Sequence, residues 1–333
     1  MQKAKELLQW LSSLKSRTSK KVISGQFVCP AYGRPEYGLP TVQDCFEYHV
    51  EKLERETGKW LGMIGFDFCN RAYKGGCQEE NTPRYESFAV LAQDYSEKGG
   101  LITLCWHAPN PWTQDNAWSS IPDNAKLADL VEVGNVFHDQ WMTWLDVVAE
   151  GLLWFQEKDI PILWRPFHEL DGDWFWWGQG DADEFIQLWR HMFHYFTHEK
   201  KLNNLLWVFS SDICNLEKTK ARYPGNEYVD CIGMDRYSSR YENTAWYEEF
   251  SKPAYDKILG YTEVGDNNEG QDNMQIMHEI KNFFPDFVMF NFWMKTFKDF
   301  SIVGNQHAYE IMNDEWTCNR PNCRKIIGQT AEK

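Results

Sequence analysis

No apolar run in the chain approaches the roughly 18 residues of a membrane-crossing helix, so nothing in it reads as a membrane span. Basic residues are also short: 34 Lys and Arg stand against 49 Asp and Glu, for a formal net charge of −15. Such a chain lacks the basic face that a nucleic-acid backbone requires, and it suits a neutral ligand. No Ser/Thr/Pro-rich stretch divides it, so residues 1–333 read as one domain. The first apolar run continues into Ser24-Gly25-Gln26-Phe27, which has one glycine where a dinucleotide-binding turn needs several. No two Cys-x-x-Cys pairs face each other, which counts against a structural zinc site. The nine cysteines are an odd number, so at least one lacks an intrachain disulfide partner. Cys318 with Cys323, and Cys69 with Cys77, are spaced to close short loops, whereas Cys105 and Cys231 lie in apolar runs as buried thiols.

What the chain has in abundance is tryptophan, 17 residues of it. Part of that number belongs in a core, and part suits the apolar faces of sugar rings, which lie well on flat aromatic surfaces. Eight short apolar runs follow one another: Val22–Phe27, Met63–Phe68, Leu101–His107, Pro161–Pro166, Leu205–Ser211, Val229–Tyr237, Ile258–Glu263 and Phe287–Trp293. Each is too short for a typical helix and reads as a fully buried strand. Segments of helical spacing separate most of them, such as Phe137-Trp141-Trp144-Leu145-Val148-Leu152 and Phe185-Leu188-Trp189-Met192-Phe193-Phe196. Strand–helix alternation of this kind predicts an α/β fold, a (β/α)8 TIM barrel in a single domain. Leu7, Leu8, Trp10, Leu11 and Leu14 mark an amphipathic N-terminal helix within residues 1–19, and 314–333 form a short C-terminal extension. That helix has no uninterrupted apolar stretch and is not a signal peptide, so either the chain stays inside the cell or a leader has been removed.

Barrel sites lie at the C-terminal ends of the strands. Those ends carry Asp67, Trp106-His107, Arg165 through Glu169, Asp235-Arg236-Tyr237, Glu263 and Trp293. Polar groups gathered at one end of otherwise apolar strands are costly unless they face a polar cleft. Glu169 and Glu263 follow the fourth and seventh runs and would face each other across the barrel mouth. Two carboxylates so placed are the equipment of glycoside hydrolysis, one protonating the leaving oxygen and the other attacking the anomeric carbon. Burial among Phe167, Trp174 and Phe175 would keep Glu169 protonated, and Tyr237 is placed to hold Glu263 ionised. A zinc site built from His107, His168 and Glu169 is the competing chemistry, and a two-carboxylate mechanism has no need of it.

The stretch Trp164-Arg165-Pro166-Phe167-His168-Glu169-Leu170-Asp171-Gly172-Asp173-Trp174-Phe175-Trp176-Trp177-Gly178 resembles the acid/base motif of glycoside hydrolase family 26, including its histidine directly before the glutamate. Ser24-Gly25-Gln26, Cys105-Trp106-His107 with Asn110-Pro111, Gly233-Met234-Asp235-Arg236-Tyr237, Thr262-Glu263-Val264-Gly265 and Asn291-Phe292-Trp293 resemble further family motifs in the family's order. The resemblance implies a retaining endo-β-1,4-mannanase with Glu169 as general acid/base and Glu263 as nucleophile. It implies sugar contact or carboxylate orientation for His107, His168 and Tyr237, and aromatic platforms at Trp174 and Trp293. A further platform falls on Trp112 or Trp118, which share a loop. It implies no role for Asp171 or Asp173, no cofactor and no metal. The implied ligand is a β-mannan-type polysaccharide or manno-oligosaccharide, met by a monomer outside the cell. Alternatives within the family are mixed-linkage β-glucan and β-1,3-xylan. Outside it stand a carbohydrate-binding protein, which needs no carboxylate pair, and an NAD-dependent barrel reductase, for which a phosphate-binding glycine loop and a Lys/Tyr pair are wanting. An exo-acting enzyme closes one end of its cleft with a loop, and Asn70–Thr82 and Asp266–Asp272 are long enough to do so.

Overall fold

The computed structural model describes residues 2–15, 20–68, 85–212, 214–237, 244–266 and 270–320. Eight parallel strands are β1 (Val22–Pro30), β2 (Met63–Asp67), β3 (Leu101–Cys105), β4 (Ile162–Arg165), β5 (Leu205–Asp212), β6 (Cys231–Arg236), β7 (Ile258–Val264) and β8 (Met289–Phe292). They pair in sequence order, and β1 pairs with both β2 and β8, which closes the barrel. Every expected apolar run holds one of these strands. Burial on both faces explains why the runs are continuous rather than alternating.

Helices cover the outside. The helix Val136–Glu157 is capped by Asn135, which accepts from the Phe137 N–H at 3.1 Å. Asp181 caps the helix Ala182–His194 in the same way, accepting from Asp183 N–H at 2.8 Å. Both caps satisfy donors that a helix start leaves open. Their apolar faces put Trp141, Leu145, Leu188 and Trp189 into the main core between helices and sheet.

The two ends of the barrel close differently. At the N-terminal ends of the strands, the helix Gln2–Lys15 lays Leu7, Trp10, Leu11 and Leu14 over Ile23, Met63, Leu101, Leu206 and Val288. Burial of each such side chain stabilises by roughly 1.5–3 kcal/mol. The C-terminal residues also enter the sheet. Thr317–Cys318 form a ninth strand, β9, pairing with Val22 and Ile23 of β1 before β1 meets β2 at Gly25. Ser24 Oγ joins the same corner, donating to Asn319 Oδ1 at 2.9 Å and accepting from Gly62 N–H at 3.0 Å. Within the segment expected as an appended extension, Thr317, Cys318 and Asn319 thus fill the lower gap between β1 and β2, and residues 321–333 lie outside the described residues. Cys69, Cys77 and Cys323, and the segment Asn70–Thr82, lie outside the described residues. Cys105 and Cys231 are buried as expected.

Candidate active site

At the opposite end the loops surround a cavity of about 450 Å³. His107, Trp118, Glu169, Trp174, Tyr237, Glu263 and Trp293 line it. That size suits a ligand cleft, and barrel cavities of this kind open at this end.

Glu263 reaches the cavity through a break in strand register. Met234 pairs with Tyr261 but Asp235 pairs with Glu263, so Thr262 is an extra residue on β7. A bulge re-aims the side chains that follow it. Tyr261 points outward, donating to Glu279 Oε2 at 2.6 Å on the helix Met274–Asn282. After the bulge, Thr262 and Glu263 both turn inward. Thr262 Oγ1 donates to Asp235 Oδ1 at 2.7 Å. A Cβ on Gly233 would stand 2.1 Å from that hydroxyl, so only glycine leaves Thr262 its space.

Inside the barrel, Arg165 is fully buried and bridges two acids. It donates to Asp235 Oδ2 at 2.8 Å, to Ser210 Oγ at 3.3 Å and to Glu263 Oε2. Burial opposes the charge on Arg165, but Asp235 and Glu263 outweigh it and hold the guanidinium above its usual range. Burial pushes Asp235 up to about 7, with Arg165 pulling the other way and Glu263 adding to the rise. The Tyr237 hydroxyl donates to Glu263 Oε1, so a cation and a phenol hold both oxygens of that carboxylate.

Glu169 stands in a contrasting setting. Phe167 and Glu169 both have positive φ, 45° and 50°, in the left-handed region that side chains rarely occupy. This zigzag after β4 drives Phe167 into the aromatic core beside Trp141 and Trp176 and leaves Glu169 facing the cavity. Strain of this sort persists only where the surroundings fix it. Here the fixing is dense. Arg222 donates to the carbonyls of Leu170 at 2.9 Å and Trp177 at 2.8 Å, and burial pushes its own pKa down to about 10. Asp171 is buried, accepts from Asn215 N–H at 3.0 Å, and is pushed up to about 6 by that burial. A Cβ on Gly178 would meet the Gly172 carbonyl oxygen at 1.9 Å, so the loop folds back on itself only with glycine there. The Glu169 carboxylate accepts from Trp174 Nε1–H at 2.5 Å. No cation pairs with it among the described residues. Burial first, then the charges of Glu263, Asp235 and Asp212, push Glu169 well above the ordinary carboxylate range, against the Trp174 hydrogen bond.

On the third side of the cavity, the His107 ring bonds Asp67 Oδ2 through Nδ1 at 2.6 Å and faces His168 Nε2 through Nε2 at 2.9 Å. His168 is fully buried and does not line the cavity. Burial, His107 and Arg165 hold it well below the ordinary histidine range, so it is neutral. His168, expected to contact the sugar or orient the carboxylates, thus stands behind His107, which does face the cavity. Glu169 binds Trp174 and not the two histidines, so the trio His107, His168 and Glu169 does not form a metal-type cluster. The metal-type cluster found among the described residues is Asp67, Cys105 and His107, whose Asp67 and His107 are already bonded to each other.

The structure separates the two loop tryptophans. Trp118 lines the cavity and stacks on His107 at 5.1 Å. Trp112 stands away from it, donating to Asp129 Oδ2 at 3.3 Å and packing on Phe137 and Trp176. Sequence reasoning missed Asp212, Phe175, Thr296, Phe297 and Phe300, which also line the cavity. The sequence did carry a signal for Asp212, which directly follows the fifth apolar run and ends β5.

A family model described as glycosyl hydrolase family 26 matches residues 1–322. The chain belongs to glycosyl hydrolase family 26. It is 30% identical over 340 residues to the mannan endo-1,4-beta-mannosidase A and B of Caldalkalibacillus mannanilyticus, an alignment spanning 96% of the chain and 61% of that relative. A mannan endo-1,4-beta-mannosidase of Bacillus subtilis is 27% identical, with 96% and 86% covered. The solved structure of a Bacillus subtilis mannanase superposes with a TM-score of 0.84 at 25% identity, covering 96% of this chain and 93% of that one. The family and the barrel expected from the sequence are thus both met.

Proposed function

We propose that the chain hydrolyses β-1,4-mannosidic bonds inside mannan, glucomannan or galactomannan by double displacement with retention. Glu169 is the general acid/base and Glu263 the nucleophile. The observation that carries this reading is the opposite treatment of the two carboxylates lining one cavity. Arg165 and Tyr237 hold both oxygens of Glu263 and aim it, while Glu169 is buried beside three acids that favour its protonated form. Pairs of acids whose surroundings push them apart are how one site supplies both an acid and a nucleophile.

In the first step Glu169 gives its proton to the leaving oxygen, the glycosidic bond breaks, and Glu263 bonds the anomeric carbon. That bond removes the negative charge at Glu263, which lowers the barrier to ionising Glu169. In the second step Glu169 takes a proton from water, and the oxygen of that water displaces Glu263. Trp174 hydrogen-bonds Glu169 and stands at the rim, where it can carry the leaving sugar, while Trp118 and Trp293 supply apolar faces within the cleft. The substrate follows from the relatives named for mannan. We take this polymer to be met by a monomer outside the cell, and hydrolytic activity confined to washed cells would count against that location.

Reducing-sugar release compared across mannan, glucomannan, xylan and mixed-linkage glucan tests the substrate. Faster release from the mannans is the expected outcome, and faster release from glucan or xylan overturns it. Proton NMR of the first product resolves retention: the β anomer must precede its equilibration with the α form.

A further inference from the structure

Four of the nine histidines gather on the outer wall of the barrel, and none of them lines the cavity. His191, His194 and His198 follow one another at spacings of three and four along the helix Ala182–His194 and the turn Tyr195–Glu199 that continues it, so they share one face. His138 approaches from the helix Val136–Glu157. The inner pair is committed to packing: the His138 and His191 rings lie 5.7 Å apart, and His138 Nδ1 bonds the Leu130 carbonyl at 2.9 Å. The outer pair, His194 and His198, is exposed, and neither ring makes a hydrogen bond or an ion pair among the described residues. Their centroids stand 5.3 Å apart, with the planes tilted by 31°.

Aromatic neighbours hold these two rings in place. Phe193 is edge-on to His194 at 5.9 Å and to His198 at 6.2 Å, and Tyr228 is edge-on to His194 at 5.6 Å. The Arg190 guanidinium lies over the Tyr228 ring at 4.8 Å and donates to the Pro224 carbonyl at 2.8 Å. The turn is a wide one, since Lys200 N–H donates to the Tyr195 carbonyl five residues back at 2.9 Å. Wide turns of this kind within helices are frequent at functional positions. The Lys200 ammonium is paired with Asp146 at 2.5 Å, and the net charge of −15 draws cations to the surface. Neutral imidazole suits zinc, copper and nickel. Zn–N bonds of about 2.0–2.1 Å in tetrahedral geometry set the centroids of two ligating rings about 5 Å apart, which is the spacing found here.

We propose that His194 and His198 form a two-imidazole site for a divalent transition-metal ion of the zinc class, with water completing its coordination. Rings already held at this spacing lose little freedom when the ion binds. The ion ties the end of the helix to the turn that leads into β5. It acts apart from hydrolysis: Phe193, which touches both rings, packs on Trp207 near the start of β5, whereas Asp212 at the cavity ends that strand. The competing ligand set is Asp67, Cys105 and His107, all buried, with Asp67 and His107 bonded to each other.

Equilibrium dialysis of the tag-free chain against zinc chloride at neutral pH tests the site. His194→Ala and His198→Ala each weaken zinc binding about tenfold or more, since even a partner that only supports a metal ligand contributes about 10–100-fold. His198→Asp, which offers a carboxylate oxygen in place of the imidazole, keeps more affinity than His198→Ala. His278→Ala, at an exposed histidine on the helix Met274–Asn282, leaves affinity within twofold of wild type. Hydrolysis of polymer by the wild type stays within twofold when zinc saturates the site. No zinc binding by the wild type, an affinity within twofold in His194→Ala or His198→Ala, or an equal loss in His278→Ala overturns the site. Zinc binding that abolishes hydrolysis and survives both alanine substitutions moves the ion to Asp67, Cys105 and His107, and also overturns it. None of these outcomes bears on the assignment of Glu169 and Glu263.

Discussion

Leu7, Trp10, Leu11 and Leu14 fill the lower mouth of the barrel, whereas Arg165, Asp235, Glu263 and Glu169 gather in the upper one. The same strands serve both ends. Below, an apolar helix covers the strand starts. Above, buried charges are packed close enough that each alters the protonation of its neighbours. The difference assigns the lower end to stability and the upper end to chemistry, and substitutions at the two ends should separate those properties.

The largest separation is expected at the top. Glu263→Ala removes the proposed nucleophile, and Glu169→Ala removes the proposed proton donor. Each should lower turnover of a polymeric substrate by several decades, on the order of the 10⁴–10⁶-fold losses seen when a reacting group is deleted. Thermal unfolding should be little changed or raised, because each variant removes a buried acid from a cluster with a single guanidinium. The pair of measurements is initial rate and unfolding midpoint. A variant that keeps near wild-type activity would show that its glutamate is not a reacting group.

The reverse result is expected below. Leu11 is fully buried on the helix Gln2–Lys15 over the strand starts. Leu11→Ala should cost about 2–5 kcal/mol in stability through lost burial and a cavity, read as a lower midpoint in denaturant. Activity per folded molecule at low temperature should stay within about twofold of wild type if the ends are independent. A proportionate fall in kcat would instead mean that the lower plug sets the geometry of the upper cleft.

Much of this division was legible in the sequence. Eight apolar runs announced eight strands, because a sheet buried on both faces leaves no polar alternation to confuse with other structure. The strand ends pointed to Glu169, Glu263, His107, Tyr237 and Trp293, all of which line the cavity. What escaped depended on register or on contacts distant in the chain. The β9 strand is two residues long and is defined only by its pairing with Val22 and Ile23. The inward turn of Glu263 depends on the bulge at Thr262, which a strand pattern does not reveal. His168 adjoins Glu169 in sequence, yet the zigzag between them sends one residue into the interior and the other to the cleft. The hairpin between Lys295 and Asp299, which carries the cavity-lining Phe297, contains no glycine or proline, so its turn carried none of the usual residue signals.

The smallest expected effect sharpens the comparison within the upper end itself. Asp212 is only partly buried, and its charge ranks behind burial, Glu263 and Asp235 among the influences raising Glu169. Asp212→Asn removes that charge while keeping the side chain's size. Ionised Glu169 then meets less repulsion, so its pKa falls and the protonated acid is lost at a lower pH. The alkaline limb of the kcat/KM profile should therefore move toward acid, since that limb reports the free enzyme's general acid. The shift should shrink as salt is added, because a partly exposed charge is screened. An alkaline limb that stays in place at low ionic strength would show that burial, with Glu263 and Asp235, keeps Glu169 protonated without Asp212. A limb that moves toward alkali would contradict the assignment of Glu169 as the acid that Asp212 acts upon.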